Sequence, residues 1–268
     1  VRQQADCLLR AGNALDDLDR CAEALEAYHQ ALEAYQLEGA TRGQANCLYN
    51  IGGTLRRMER YAEALEAYRQ ALEAYQQVEG SERDQADCVI NTGRALDALK
   101  RREEALSAFY QALEAYRAVS GTVRQQAVCL LRAGNVLDDL GRYEDALTSY
   151  RQSLEAYRKV EGTTQVQGTC LYNVGGTLRR LNRYEEALEI YRRALEAYRQ
   201  VEGTTRAQAD CLGGIGRALR GLGRYEESHK AFRQALEAYR TVPGTARPQA
   251  VCLLDIGNAL DDLGRYEE

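Results

Sequence analysis

The fold of this chain is decided by two stretches, Cys170-Leu-Tyr-Asn-Val-Gly-Gly-Thr-Leu178 and Ala187-Leu-Glu-Ile-Tyr-Arg-Arg-Ala194. In the first, apolar and small residues fall within one arc of about 120° when they are placed on a helix. The second has the same period, and its helix is expected from about Glu185 to Val201. Asn182 between them suits the left-handed residue that closes a helix. The two stretches therefore predict a helix, a turn and a second helix.

The same unit recurs along the chain. Seven cysteines mark it, spaced 40 residues apart once and 41 residues apart five times: Cys7, Cys47, Cys88, Cys129, Cys170, Cys211 and Cys252. Self-similarity at this period is typical of a solenoid of stacked units. We expect an all-α solenoid in a single array. Its repeats are predicted at residues 1–40, 41–81, 82–122, 123–163, 164–204 and 205–245, with the first helix of a seventh at 246–268.

A longer period lies over the short one, because residues 1–122 resemble residues 123–245. The run Cys7-Leu-Leu-Arg-Ala-Gly-Asn13 returns as Cys129-Leu-Leu-Arg-Ala-Gly-Asn135. This internal similarity indicates that three units were copied together.

The composition excludes several classes of function. The chain has 268 residues and a net charge of −5, which argues against a protein that binds nucleic acid by bulk attraction. No run of about 18 apolar residues is present, so we expect no membrane span and no membrane partner. Length alone would suggest two globular domains, but the internal repeat indicates a single array of stacked units instead.

The unit resembles the tetratricopeptide repeat. The resemblance rests on Leu171-x2-Val174-Gly175-x2-Leu178 followed by Ala187-x3-Tyr191-x2-Ala194. Leucines stand at the usual tryptophan and first tyrosine positions, Arg199 replaces the terminal proline, and the unit is about seven residues longer than the usual 34. It is therefore similar to the extended subclass found in kinesin light chains, in Leu-Gly-Asn-repeat adaptors and in sensor regions of signalling NTPases. HEAT repeats have a similar period but not these glycine and alanine positions.

The resemblance implies a right-handed superhelix whose first helices line a concave groove for a peptide or protein partner. The groove candidates are the outward residues of the first helices: Leu9, Asn13, Tyr49, Asn50, Arg56, Arg57, Ile90, Arg94, Leu131, Asn135, Asp138, Asp139, Tyr172, Asn173, Arg179, Arg180, Arg217 and Asn258. The apolar members, with Leu254, either anchor a peptide or pack against the next unit. The asparagines can bond an extended backbone.

Charge pairs alternate in sign along the same face. Asp16 and Asp17 lie in the unit before Arg56 and Arg57, and Asp138 and Asp139 precede Arg179 and Arg180 in the same way. Two interpretations stay open. The pairs form salt bridges between units, or they select a ligand of complementary charge.

Neither catalysis nor a cofactor or metal site is indicated. The seven aligned cysteines should lie too far apart for disulfides, so we expect reduced, buried packing residues and a cytoplasmic protein. Cys21 replaces the tyrosine of most other units and is predicted to be the most exposed and reactive thiol. His29 and His229 lie in unrelated units and are expected at the surface. The run Gly213-Gly-Ile-Gly216 lies inside a predicted helix and cannot cradle a phosphate.

The chain is expected to be a segment of a longer protein, because it begins with valine and stops where a second helix should begin. Apolar residues around Leu253, Ile256, Leu260 and Leu263 are predicted to be exposed and to permit end-to-end self-association. The favoured function is a non-enzymatic scaffold for a protein or peptide partner. The alternative is a ligand-sensing or self-assembly segment of a multidomain signalling ATPase.

Overall fold

The computed structural model describes residues 2–265, and these residues form thirteen helices and no strand. The helices are α1 Arg2–Asp17, α2 Cys21–Leu37, α3 Thr41–Arg57, α4 Tyr61–Tyr75, α5 Glu82–Ala98, α6 Arg102–Arg117, α7 Val123–Asp139, α8 Tyr143–Arg158, α9 Thr164–Arg180, α10 Tyr184–Arg199, α11 Thr205–Gly221, α12 Tyr225–Arg240 and α13 Ala246–Asp262. Odd-numbered helices are the first helices of the repeats and even-numbered helices are the second. The predicted all-α fold of stacked helical repeats is confirmed.

The chain divides into two compact units, residues 1–136 and residues 137–268. In the first unit, consecutive helices from α1 to α6 pack against one another, and α3 also contacts both α1 and α5. In the second unit, consecutive helices from α8 to α13 pack against one another, and α11 also contacts both α9 and α13. First helices therefore lie beside one another within each unit.

The turn inside each repeat uses one residue in the left-handed conformation. Asn182 has φ 57°, as its position predicted, and Gly141 and Gly223 have φ 75° and 70°. Glu59 and Lys100 adopt the same conformation, with φ 60° and 62°, although their side chains disfavour it. The second helix of the quoted unit ends at Arg199, two residues earlier than predicted. It ends there because Val201 N donates to Tyr198 O at 3.1 Å, which is a turn three residues long.

The two helices of a repeat approach closely where a glycine faces an aromatic ring. A Cβ on Gly52 would lie 2.7 Å from the ring of Tyr68, and one on Gly216 would lie 2.6 Å from the ring of Phe232. Real Cβ atoms do not come so near, because carbon atoms in contact lie about 3.5–4.0 Å apart and repel each other steeply at shorter distances. Tyr68 and Phe232 are almost fully buried. The ring fills the space that the absent side chain leaves.

A buried hydroxyl residue fixes the loop between repeats. The hydroxyl of Thr163 lies 2.7 Å from both Tyr157 O and Val160 O, which share its one proton, and Gln167 Nε2 donates to Thr163 Oγ1 at 3.0 Å. Other loops place Ser81, Thr122, Thr204 and Thr245 at this position. The first loop has Ala40 instead, whose N–H donates to Tyr35 O at 3.0 Å. That loop is one residue shorter, which explains the single spacing of 40.

The cysteines follow the prediction with one exception. All eight are free thiols, and Cys47, Cys88, Cys129, Cys170, Cys211 and Cys252 are buried. Cys7 is exposed, so its predicted burial is wrong. Burial of this position requires a helix packed on its far side, and no described helix precedes α1. Cys21 is half-buried, so Cys7, and not Cys21, is the most exposed thiol.

Candidate partner-binding face

The predicted groove residues lie on the seven first helices and differ in exposure. Most are half-buried; the exposed ones are Asn13, Arg57, Asp139 and Arg180. Ile90 is buried, with 5% of its surface exposed, so it packs in the core and cannot anchor a partner. Leu9 packs partly against the core, whereas Leu254 is 66% exposed. The apolar positions therefore do not form one uniform stripe.

Two of the predicted asparagines bond to each other. Asn50 Nδ2 donates to Asn13 Oδ1 at 2.9 Å, and the Tyr28 hydroxyl donates to the same oxygen at 2.8 Å. The contact joins α3 to α1 and to α2. Part of the hydrogen-bonding capacity that was expected to serve a peptide backbone is thus used within the first unit.

The alternating charges form salt bridges between neighbouring repeats. Arg57 lies 2.6 Å from Asp16 and 2.6 Å from Asp19. Arg180 pairs with Asp138 in the same manner in the second unit. Thr54 and Thr177 support these carboxylates by donating their hydroxyls at 2.9 Å to Asp16 and Asp138. One arginine of each Arg-Arg pair, Arg57 or Arg180, therefore joins two neighbouring repeats by a salt bridge.

The other arginine of the first pair borders a cavity. Arg56, from α3, and Arg94, from α5, line a cavity of about 200 Å³ together with Tyr49, Tyr68 and Asn91. Asn91 Nδ2 donates to the Tyr49 hydroxyl at 2.9 Å, and Arg94 Nη1 donates to Asn91 Oδ1 at 3.1 Å. The rings of Tyr49 and Tyr68 are tilted with centroids 5.9 Å apart. We call this group of five side chains the first arginine–tyrosine cluster.

The electrostatics of this cluster are positive. Burial raises the pKa of Tyr68, and the guanidinium groups of Arg56 and Arg94 oppose that rise, so both charges lie near its hydroxyl. Burial, together with the nearby carboxylate of Asp87, raises the pKa of Tyr49 to about 12. The Nε atoms of Arg56 and Arg94 are buried and have no hydrogen-bond acceptor among residues 2–265.

Four of these five side chains recur 123 residues later in the second unit, where Gly214 takes the place of Asn91. They are Tyr172, Arg179, Tyr191 and Arg217, and we call them the second arginine–tyrosine cluster. The two tyrosine rings lie 5.6 Å apart, and burial raises the pKa of Tyr191 against the charges of Arg179 and Arg217. Arg217 differs from its counterpart, because its Nη2 lies 3.0 Å from the carboxylate of Asp255.

The sequence analysis does not select Tyr68, Asn91 or Asp255 as candidates, and it gives Tyr191 only as a residue of the repeat pattern. The 123-residue period contained the signal, since Tyr68 and Tyr191 correspond in the two copies. The remaining candidates Leu131, Asn135, Asn173 and Asn258 are half-buried on their helices, outside the residues that line these cavities.

Groups suited to metal binding do not occur among residues 2–265, where no three His, Cys, Asp or Glu side chains converge. In the same part of the chain, no helix is both long and apolar enough to cross a bilayer. His29 is exposed, as expected, and His229 is half-buried.

Repeated helical hairpins, close glycine–aromatic contacts and a polar face of first helices define an α-helical repeat protein. The profile of the tetratricopeptide repeat matches residues 3–77, 44–118, 85–159, 166–241 and 208–268. The chain therefore belongs to the tetratricopeptide repeat family.

Solved structures share this fold at low sequence identity. BtubC (BKLC) from P. vanneervenii is 16% identical with a TM-score of 0.71, over 84% of this chain and 91% of that one. The apo form of RapI is 14% identical with a TM-score of 0.71, over 97% and 98%. A Rap protein complexed with Competence and Sporulation Factor is 14% identical with a TM-score of 0.62, over 98% and 76%. No curated protein matches the chain.

Proposed function

We propose that the protein is a non-enzymatic interaction scaffold that holds a peptide or protein partner against its first helices. One observation carries the proposal. Tyr49 and Tyr172, at equivalent positions in the two units, are half-buried and line cavities of about 200 Å³ and 440 Å³. Aromatic side chains beside a cavity with a few polar groups are typical of a binding site.

Further support comes from the family and from the thiols. The Rap protein above was solved in complex with a factor, so a related fold holds a partner. The buried free cysteines favour a reducing compartment such as the cytoplasm.

The test uses peptides selected on the wild-type protein from a random display library. We expect the double variant Tyr49→Ala with Tyr172→Ala to lose most of the binding of the selected peptides, since it removes both aromatic anchors. The matched control is Tyr110→Ala, which alters a tyrosine that is 40% exposed on the second helix α6. Equal binding by wild type and double variant, with both folded by circular dichroism, would remove the proposed site.

A further inference from the structure

Arg56 and Arg94 line the same cavity, and the carboxylate that Arg94 influences, Asp87, already accepts a hydrogen bond from the hydroxyl of Tyr116. Neither arginine forms an ion pair among residues 2–265, although both guanidinium groups act on the hydroxyl of Tyr68. Two like charges near one buried hydroxyl repel each other, and a buried donor without an acceptor is unfavourable. An anion placed between them would relieve both costs.

The cavity has room and donors for such an anion. Its volume of about 200 Å³ is several times the ~30 Å³ that one water molecule occupies in the liquid. The hydroxyl of Tyr49 accepts from Asn91, so its own proton remains to be donated. The carboxylate in the lining, Asp16, is already engaged by Arg57 and Thr54. The charge that a ligand meets there is therefore positive.

A carboxylate outside the second arginine–tyrosine cluster pairs with one of its arginines, whereas neither arginine of the first cluster forms an ion pair among residues 2–265. Asp255, 38 residues after Arg217, accepts from Arg217 Nε at 3.1 Å. The residue 38 positions after Arg94 is Arg132, an exposed arginine. At the sequence position where the second copy has this aspartate, the first copy has an arginine, so the first cluster has no carboxylate from that position. The contact between Asp255 and Arg217 is thus an example, within the same chain, of a carboxylate bound by an arginine of such a cluster.

We propose that the first arginine–tyrosine cluster binds an aspartate or glutamate side chain of an acidic peptide partner, and that Asp255 occupies the equivalent place in the second cluster. The planar guanidinium fork suits a carboxylate, and charge-assisted hydrogen bonds are about twice as strong as neutral ones. This inference rests on the proposed scaffold function and names the chemistry of its partner.

The experiment measures the binding of a fluorescein-labelled peptide, Gly-Ser-Asp-Glu-Asp-Glu-Ser-Gly, whose ends are both blocked. The comparison peptide has asparagine and glutamine in place of the acids. We expect the acidic peptide to bind wild-type protein at least about tenfold more tightly, with a stoichiometry of one, and to weaken as salt is raised. Arg94→Gln should lose about tenfold in affinity, because it removes one charge of the cluster.

The matched control is Arg69→Gln, because Arg69 pairs with Glu66 and Glu73 on the exposed face of α4. It should bind the acidic peptide as wild type does. Two further variants exchange the clusters' properties. Arg132→Asp should weaken binding by supplying an internal carboxylate, and Asp255→Ala should raise the stoichiometry from one to two.

Equal affinity for the acidic and amide peptides, or wild-type affinity in Arg94→Gln, would overturn the inference. A stoichiometry that stays at one in folded Asp255→Ala would contradict the role given to Asp255. The scaffold proposal is judged separately, because peptides selected without regard to charge still depend on Tyr49 and Tyr172 if only the charge assignment is wrong.

Discussion

At the scale of single residues, the repeat depends on positions where a side chain is missing. Gly216, in the middle of α11, lies against the ring of the fully buried Phe232. Gly257 is the equivalent residue of α13 in the same compact unit, and a Cβ there would meet no atom of residues 2–265 within 4 Å. The same amino acid at the same repeat position therefore has opposite consequences in two helices.

We expect Gly216→Ala to lower the free energy of unfolding by about 1–3 kcal/mol, because the new methyl group overpacks the core. Gly257→Ala should instead raise it by up to ~1 kcal/mol, since alanine is the better helix former and the site is open. Denaturant unfolding of the two variants beside wild type measures both changes. Equal shifts in the two variants would show that packing against Phe232 is not what selects the glycine.

At the scale of the helix, six of the seven first helices bury one thiol each. Burial raises the pKa values of Cys47, Cys88 and Cys211 to about 12. A free thiol in an unfolded chain titrates near 8.5. The folded protein thus holds more protons than the unfolded chain between about pH 8.5 and about pH 12, and stability falls with rising pH across that window.

We expect the midpoint of denaturant unfolding, measured in reducing buffer, to fall steeply above about pH 8.5. Each buried thiol contributes up to ~1.4 kcal/mol per pH unit. Cys88→Ala should make this fall shallower, because one such group is gone. Cys7→Ala is the control, since Cys7 is exposed and its replacement should leave the slope unchanged. If the stability of Cys88→Ala fell with pH as steeply as that of wild type, buried thiols would not be the cause of the pH dependence.

At the scale of the whole molecule, three large apolar side chains that are exposed to solvent lie on one helix, α13. Val251, Leu253 and Leu254 are 41%, 54% and 66% exposed, and Ile256 is half-buried. The predicted patch around Leu253 and Ile256 thus exists, but Leu260, expected in it, is buried with 8% exposed. Exposed apolar side chains that adjoin one another mark interaction surfaces.

We predict that this patch supports self-association. Sedimentation velocity should show a coefficient that rises with protein concentration, and the double variant Leu253→Glu with Leu254→Glu should abolish the rise. Leu37→Glu is the matched control, because Leu37 is 85% exposed on α2. A wild-type coefficient that stays monomeric at every concentration would refute the prediction.

The sequence alone was enough for the helical hairpins, the left-handed turn residue Asn182 and the six buried cysteines. These features depend on the local periodicity of the sequence. That periodicity follows from the 3.6 residues per turn of a helix and does not depend on which other helices pack against it. Only the tertiary structure decided that Arg57 pairs with Asp16 while Arg56 and Arg94 converge on Tyr68, and that Cys7 is exposed. Those outcomes depend on the stagger between adjacent helices and on which faces have a neighbour, and neither is encoded in the period of a single helix.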